Sequence, residues 1–85
     1  MTAVINEGDW YSYDKELDAT GLECPLPILR SKKALNTMES GQILYVISTD
    51  PGSVRDFKVF CRHTGHNLID SVEEQERFLF LIKKR

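Results

Sequence analysis

Apolar positions along the chain fall into stretches of different period. From Pro25 to about Met38, the residues Pro27, Ile28, Ser31, Ala34, Leu35 and Met38 recur at helical spacing while Lys32, Lys33 and Asn36 point elsewhere. That spacing predicts an amphipathic helix. Gly41 supplies a stop signal, and Ile43 to Ile47 is an uninterrupted apolar run suited to a central strand buried on both faces. A second helix is predicted after Thr49-Asp50-Pro51, where Asp50 can cap and Pro51 has no N–H to leave unpaired. Val54, Phe57, Phe60, Cys61 and Thr64 share its inner face, and Gly65 ends it. The remainder reads as a hairpin, with His66 to about Val72 as one strand, Glu73-Glu74-Gln75-Glu76 as the turn, and Arg77 to Lys83 as the other strand. In that last strand Phe78, Phe80 and Ile82 alternate with Leu79 and Leu81, so both faces are apolar. Ahead of the first helix, a short strand from near Tyr13 runs through Glu16 to Ala19, and Thr20-Gly21-Leu22-Glu23 turns the chain.

The predicted order is strand, helix, strand, helix, strand, strand. Right-handed crossovers place both helices on one face of one sheet, giving an α+β fold: a two-layer α/β sandwich, βαβαββ, with a mixed four-stranded sheet. Residues 1–15 show no clean period and are assigned as an N-terminal tail, with residues 16–85 as the domain. The second apolar side of the final hairpin needs cover, either from Trp10, Tyr11 and Tyr13 in the tail or from an interface.

Composition narrows the class of function. The chain has 85 residues, enough for one small core. Lys plus Arg number 11 and Asp plus Glu 13, a formal net charge of −2, so no overall cationic field exists for phosphates and direct nucleic-acid binding is disfavoured. No apolar run approaches the roughly 20 residues of a membrane span, and the first residues lack a basic start and apolar centre, so a cytoplasmic protein without membrane contact is expected. In that compartment Cys24 and Cys61 are expected to be reduced, and each is judged on its own surroundings.

Cys24-Pro25-Leu26-Pro27 is where local rules converge on chemistry. Cys24 stands at the expected N-cap, with prolines at the first and third helical positions. The helix dipole favours a thiolate there, moderately, because each proline removes a donor and leaves chiefly the N–H groups of Leu26 and Cys24 to meet an anion. Two fixed φ angles hold the helix mouth rigid and present the sulfur outward. Neither His63 nor His66 is near Cys24 in sequence and no acid/base partner for it is evident, and from the residues alone an ordinary loop cysteine and a reactive thiol are equally open readings. Cys61, in the company of Phe57 and Thr64, is expected in the core. Cys61, His63 and His66 do not converge, so no metal site is expected. Leu26 and Leu29 project off the core stripe beside Arg30 and Lys33. These four form a candidate partner-docking surface, the plain alternative being scattered exposed leucines.

Taken in order, Leu17-Asp18, Gly21, Cys24-Pro25-x-Pro27, Asp50-Pro51, Asp56, Phe60-Cys61 and Gly65-His66 resemble the TusA (SirA-like) family of small sulfur-carrier proteins, over the chain from about Leu17 to the end. The stretch Phe57-Lys58 departs from the Ile-Pro that many members carry. The resemblance implies a sulfurtransferase that carries a persulfide on Cys24, with Asp18, Gly21, Pro25 and Pro27 as its supporting motif and no cofactor. It further implies a cysteine desulfurase or rhodanese-type donor, and a downstream relay protein leading toward 2-thiouridine in tRNA or general sulfur trafficking. The rival expectation is a non-catalytic regulatory or interaction module using the same helix face.

Overall fold

Helical spacing and strand alternation lead to eight elements in the computed structural model, which describes residues 13–85 fully and, of residues 1–12, only the backbone of two strands. Those strands, β1 (Thr2–Ile5) and β2 (Gly8–Ser12), pair antiparallel as a ribbon within the stretch read as a tail. They are followed by β3 (Lys15–Ala19), α1 (Leu26–Asn36), β4 (Ile43–Ser48), α2 (Ser53–Thr64), β5 (Asn67–Glu74) and β6 (Arg77–Lys83). The main sheet has the order β3-β4-β6-β5, with β3 parallel to β4 and the other pairs antiparallel. This is the mixed four-stranded sheet that the sequence predicts.

Both helices bury their apolar stripes on one face of that sheet. Ala34, Leu35 and Met38 of the first helical stretch and Phe57, Phe60 and Cys61 of α2 cluster with Ala19, Leu44, Val46, Phe80 and Ile82. The rings of Phe57 and Phe80 stand 4.5 Å apart at the centre. Burying side chains of this size contributes about 1.5–3 kcal/mol each, which makes this layer the main source of stability.

The structure corrects four local expectations. The strand buried on both faces is β6, where Leu79, Phe80, Leu81 and Ile82 are all at most 1% exposed. In β4 only alternate residues are fully buried. The β5–β6 turn is shorter than expected: Gln75 and Glu76, at φ 52° and 66°, complete a two-residue hairpin loop whose backbone suits the strand twist. The helix caps also shift. Pro25 rather than Cys24 is the N-cap of α1, and Gly52 rather than Asp50 that of α2, because Asp50 and Pro51 are used in a turn closed by the Ser53 N–H on the Asp50 carbonyl at 3.0 Å. On the sheet's other face Tyr13 packs against Tyr45 with ring centroids 5.1 Å apart. The cover expected from Trp10 and Tyr11 lies outside the described residues.

Candidate functional site

The approach to α1 is tied down residue by residue. Asp18 accepts from the Thr20 N–H at 3.0 Å and from the Thr20 hydroxyl at 2.7 Å, an Asx-type turn that also holds the Asp18 carboxyl below its usual range. Gly21, at φ 80°, takes the chain through a left-handed conformation and donates its N–H to Thr49 Oγ1 at 2.9 Å, linking this loop to the end of β4. Pro25 follows a cis peptide bond from Cys24, and Pro27 is fully buried against the core. Asp18, Gly21, Pro25 and Pro27 thus hold the loop and helix mouth, and Cys24 is left exposed between them.

Opposite this mouth, the hydroxyls of Ser48 and Ser53 meet at 2.6 Å and the Asp50 N–H donates to Ser48 Oγ at 3.2 Å. This knot sets the start of α2, whose first turn carries Asp56 toward Cys24. Cys24, Pro25, Ile28, Asp56, Val59, Phe60 and His63 line one groove of about 350 Å³ between the helices. Its walls are chiefly apolar, apart from Asp56 and His63.

Electrostatics at Cys24 reverse the expectation of a favoured thiolate. The Asp56 carboxylate faces the thiol across the groove, the thiol's surroundings are partly desolvated, and the charges of Asp56 and Asp50 oppose a second anion, so its pKa lies above that of an ordinary cysteine. Of the two donors counted on from sequence, one is spent: the Leu26 N–H is bonded to the Glu23 carbonyl at 2.8 Å. The dipole of α1 is outweighed by the neighbouring carboxylates.

The remaining sequence-named residues separate into distinct places. Leu26 and Leu29 are 43% and 53% exposed on α1. Arg30 and Lys33 line a different groove, against Lys15 and Leu17 at the β3 edge. Cys61 is 5% exposed in the core, and burial pushes its thiol up to about 11. His66 sits away from the cysteine groove: its Nδ1 accepts the Arg85 N–H at 3.1 Å, and its ring lies 5.9 Å from Phe60. Sequence reading missed Asp56, Val59 and His63 as neighbours of Cys24. Their signal was available, since Asp56 belongs to the quoted motif and all three fall on one side of the second helix together with Phe60.

A family model described as "Sulfurtransferase TusA" matches residues 15–84. The sulfur carrier protein TusA of Allochromatium vinosum is 64% identical over 72 residues, covering 85% of this chain and 95% of that one. A putative sulfur carrier protein of Neisseria meningitidis is 51% identical over 69 residues, with 81% and 93% covered. The putative sulfur carrier protein YrkI of Bacillus subtilis is 48% identical over 71 residues, with 84% and 95% covered. The crystal structure of a SirA-like protein from Desulfitobacterium hafniense superposes with a TM-score of 0.74 at 24% identity, covering 82% of this chain and 96% of that one, and so shares the fold. With a family match over nearly the whole domain and close relatives that are sulfur carriers, this chain belongs to the TusA family of sulfurtransferases.

Proposed function

We propose that the protein is a cytoplasmic sulfur carrier that holds sulfur as a persulfide on Cys24. The observation that supports this most is the contrast between its two thiols: Cys24 is exposed at a rigid helix mouth and Cys61 is buried in the core. Only the first can meet another protein's sulfur.

In the loading step the deprotonated Cys24 sulfur attacks the outer sulfur of a donor persulfide. The donor S–S bond breaks, a new S–S bond forms to Cys24, and the donor sulfur leaves as a thiolate that takes a proton. Unloading repeats the exchange with an acceptor thiolate attacking the outer sulfur and Cys24 leaving. No cofactor enters either step. The donor is a cysteine desulfurase or a rhodanese-type protein, and the acceptor is a relay protein leading toward tRNA 2-thiouridine or general sulfur trafficking. Leu26 and Leu29 form the apolar centre of the docking surface and Arg30 and Lys33 its cationic rim, because a partner reaching Cys24 must cover the adjoining helix surface.

Labelled sulfur tests this reading. With a cysteine desulfurase and sulfur-labelled L-cysteine, label should appear on this protein and be chased off by an acceptor thiol. A folded protein that never gains transferable label would instead support a non-catalytic interaction module.

A further inference from the structure

Around Cys24 the charged groups are unevenly placed. Asp56 lines the same groove, Asp50 approaches from the β4–α2 connection, Glu23 precedes Cys24 on its own loop, and His63 stands in the groove from α2. Among the described residues no lysine or arginine lines this groove. The two carboxylates flank Gly52: a Cβ built there would lie 3.3 Å from Asp50 Oδ2 and 3.9 Å from Asp56 Oδ2. Asp50 Oδ2 is buried and accepts no hydrogen bond from the described residues. The position of Asp56 is itself fixed, by its N–H donating to the Gly52 carbonyl at 3.0 Å and by the Ser48–Ser53 contact behind it.

Building on the reading of Cys24 as the carrying thiol, we infer that Asp56, facing Cys24 across a groove that no lysine or arginine lines, is a positioning residue that holds Cys24 as a thiol in the free protein, restraining its exchange with small electrophiles and small thiols. Two steps feel this restraint. Attack by Cys24 requires the thiolate, which a neighbouring carboxylate disfavours. Loss of sulfur from the loaded form makes Cys24 the leaving group: a small thiolate bonds to the outer sulfur, the bond from that sulfur to Cys24 breaks, and its electron pair passes to Sγ, which then takes a proton from water. A sulfur that is costly to hold as an anion leaves more slowly. The carrier is thereby shielded from random thiols while its partners remain able to act after changing the groove's surroundings by docking.

The test is the pH profile of Cys24 alkylation by iodoacetamide, which needs no bound sulfur, in the native protein and in Asp56→Asn, Asp56→Glu and Asp50→Asn variants. Asp56→Asn should move the profile to lower pH and raise the rate at neutral pH by about twofold or more. Asp56→Glu should restore the native profile, and Asp50→Asn should move it in the same direction by less. A profile that is unmoved in Asp56→Asn, or moved to higher pH, overturns the inference. Should Asp56→Asn fail to fold, Asp56→Ser is read in the same way, and an unmoved profile there overturns the inference equally. Sulfur loading measured separately keeps the two readings apart: Cys24 can load sulfur with Asp56 inert, and Asp56 can set the alkylation profile of a cysteine that never loads.

Discussion

The hydroxyl oxygens of Ser48 and Ser53 lie 2.6 Å apart, a buried hydrogen bond joining the last residue of β4 to the first of α2. Through this contact the turn at Asp50-Pro51-Gly52 is held, and with it the placement of Asp56 opposite Cys24.

Ser53→Ala should therefore lower stability by about 1–3 kcal/mol, toward the smaller value because Ser48 Oγ keeps the Asp50 N–H as a partner. Urea unfolding checks it: the midpoint should fall with the slope unchanged. An unchanged midpoint would mean that this contact does not hold the turn.

Cys61 should impose an alkaline limit on the fold. Burial pushes its native pKa up to about 11, above the ordinary thiol value of 9.0 that it takes in the unfolded chain. Between those values the native state binds more protons than the unfolded state, so stability is fully present below the unfolded value and declines as pH rises through the native one. Comparing urea midpoints of the native protein and Cys61→Ala across that window should show the steeper decline in the native protein. Parallel curves would contradict the assignment.

Gly65→Ala should destabilise by about 1–2 kcal/mol through its φ of 85° at the C-cap of α2. A further cost comes from Arg85, whose Cδ would lie 2.8 Å from the new Cβ. Thermal unfolding of Gly65→Ala with and without Arg85→Ala separates the two, since removing the arginine side chain relieves only the contact.

Much of this was legible beforehand, and the failures have physical causes. The inner faces of α1 and α2 follow from apolar spacing because packing on a sheet demands that period, and residues such as Leu35 and Phe57 are fully buried as expected. Turn chemistry was less visible: Gln75 and Glu76 adopt positive φ without a glycine or asparagine to signal it. The caps moved because prolines are tolerated at several positions of a first turn, so their presence marks a helix start only to within a residue or two. The environment of Cys24 was hidden for a different reason. Local sequence shows its own helix dipole, whereas the opposing carboxylates of Asp50 and Asp56 arrive from another element and meet it only in the folded chain.

The exposed leucines offer a separate test of partner docking. Leu26→Ala with Leu29→Ala should lower the thermal midpoint only slightly, since both side chains are about half exposed and lie outside the core cluster. The rate of sulfur uptake from the donor should nevertheless fall, because losing the apolar centre of an interface removes over about 1 kcal/mol of binding. Unchanged uptake would remove these residues from the docking surface and leave the groove at Val59 and Phe60 as the surface next to Cys24.

The most direct measurement is the intact mass of three proteins, the native chain, Cys24→Ser and Cys61→Ser, after incubation with a cysteine desulfurase and L-cysteine. The native chain and Cys61→Ser should each gain the mass of one sulfur atom, lost again on adding a thiol reductant, and Cys24→Ser should gain nothing. Reductant-sensitive sulfur on Cys24→Ser, or none on the native chain, would contradict the assignment of Cys24 as the carrying residue.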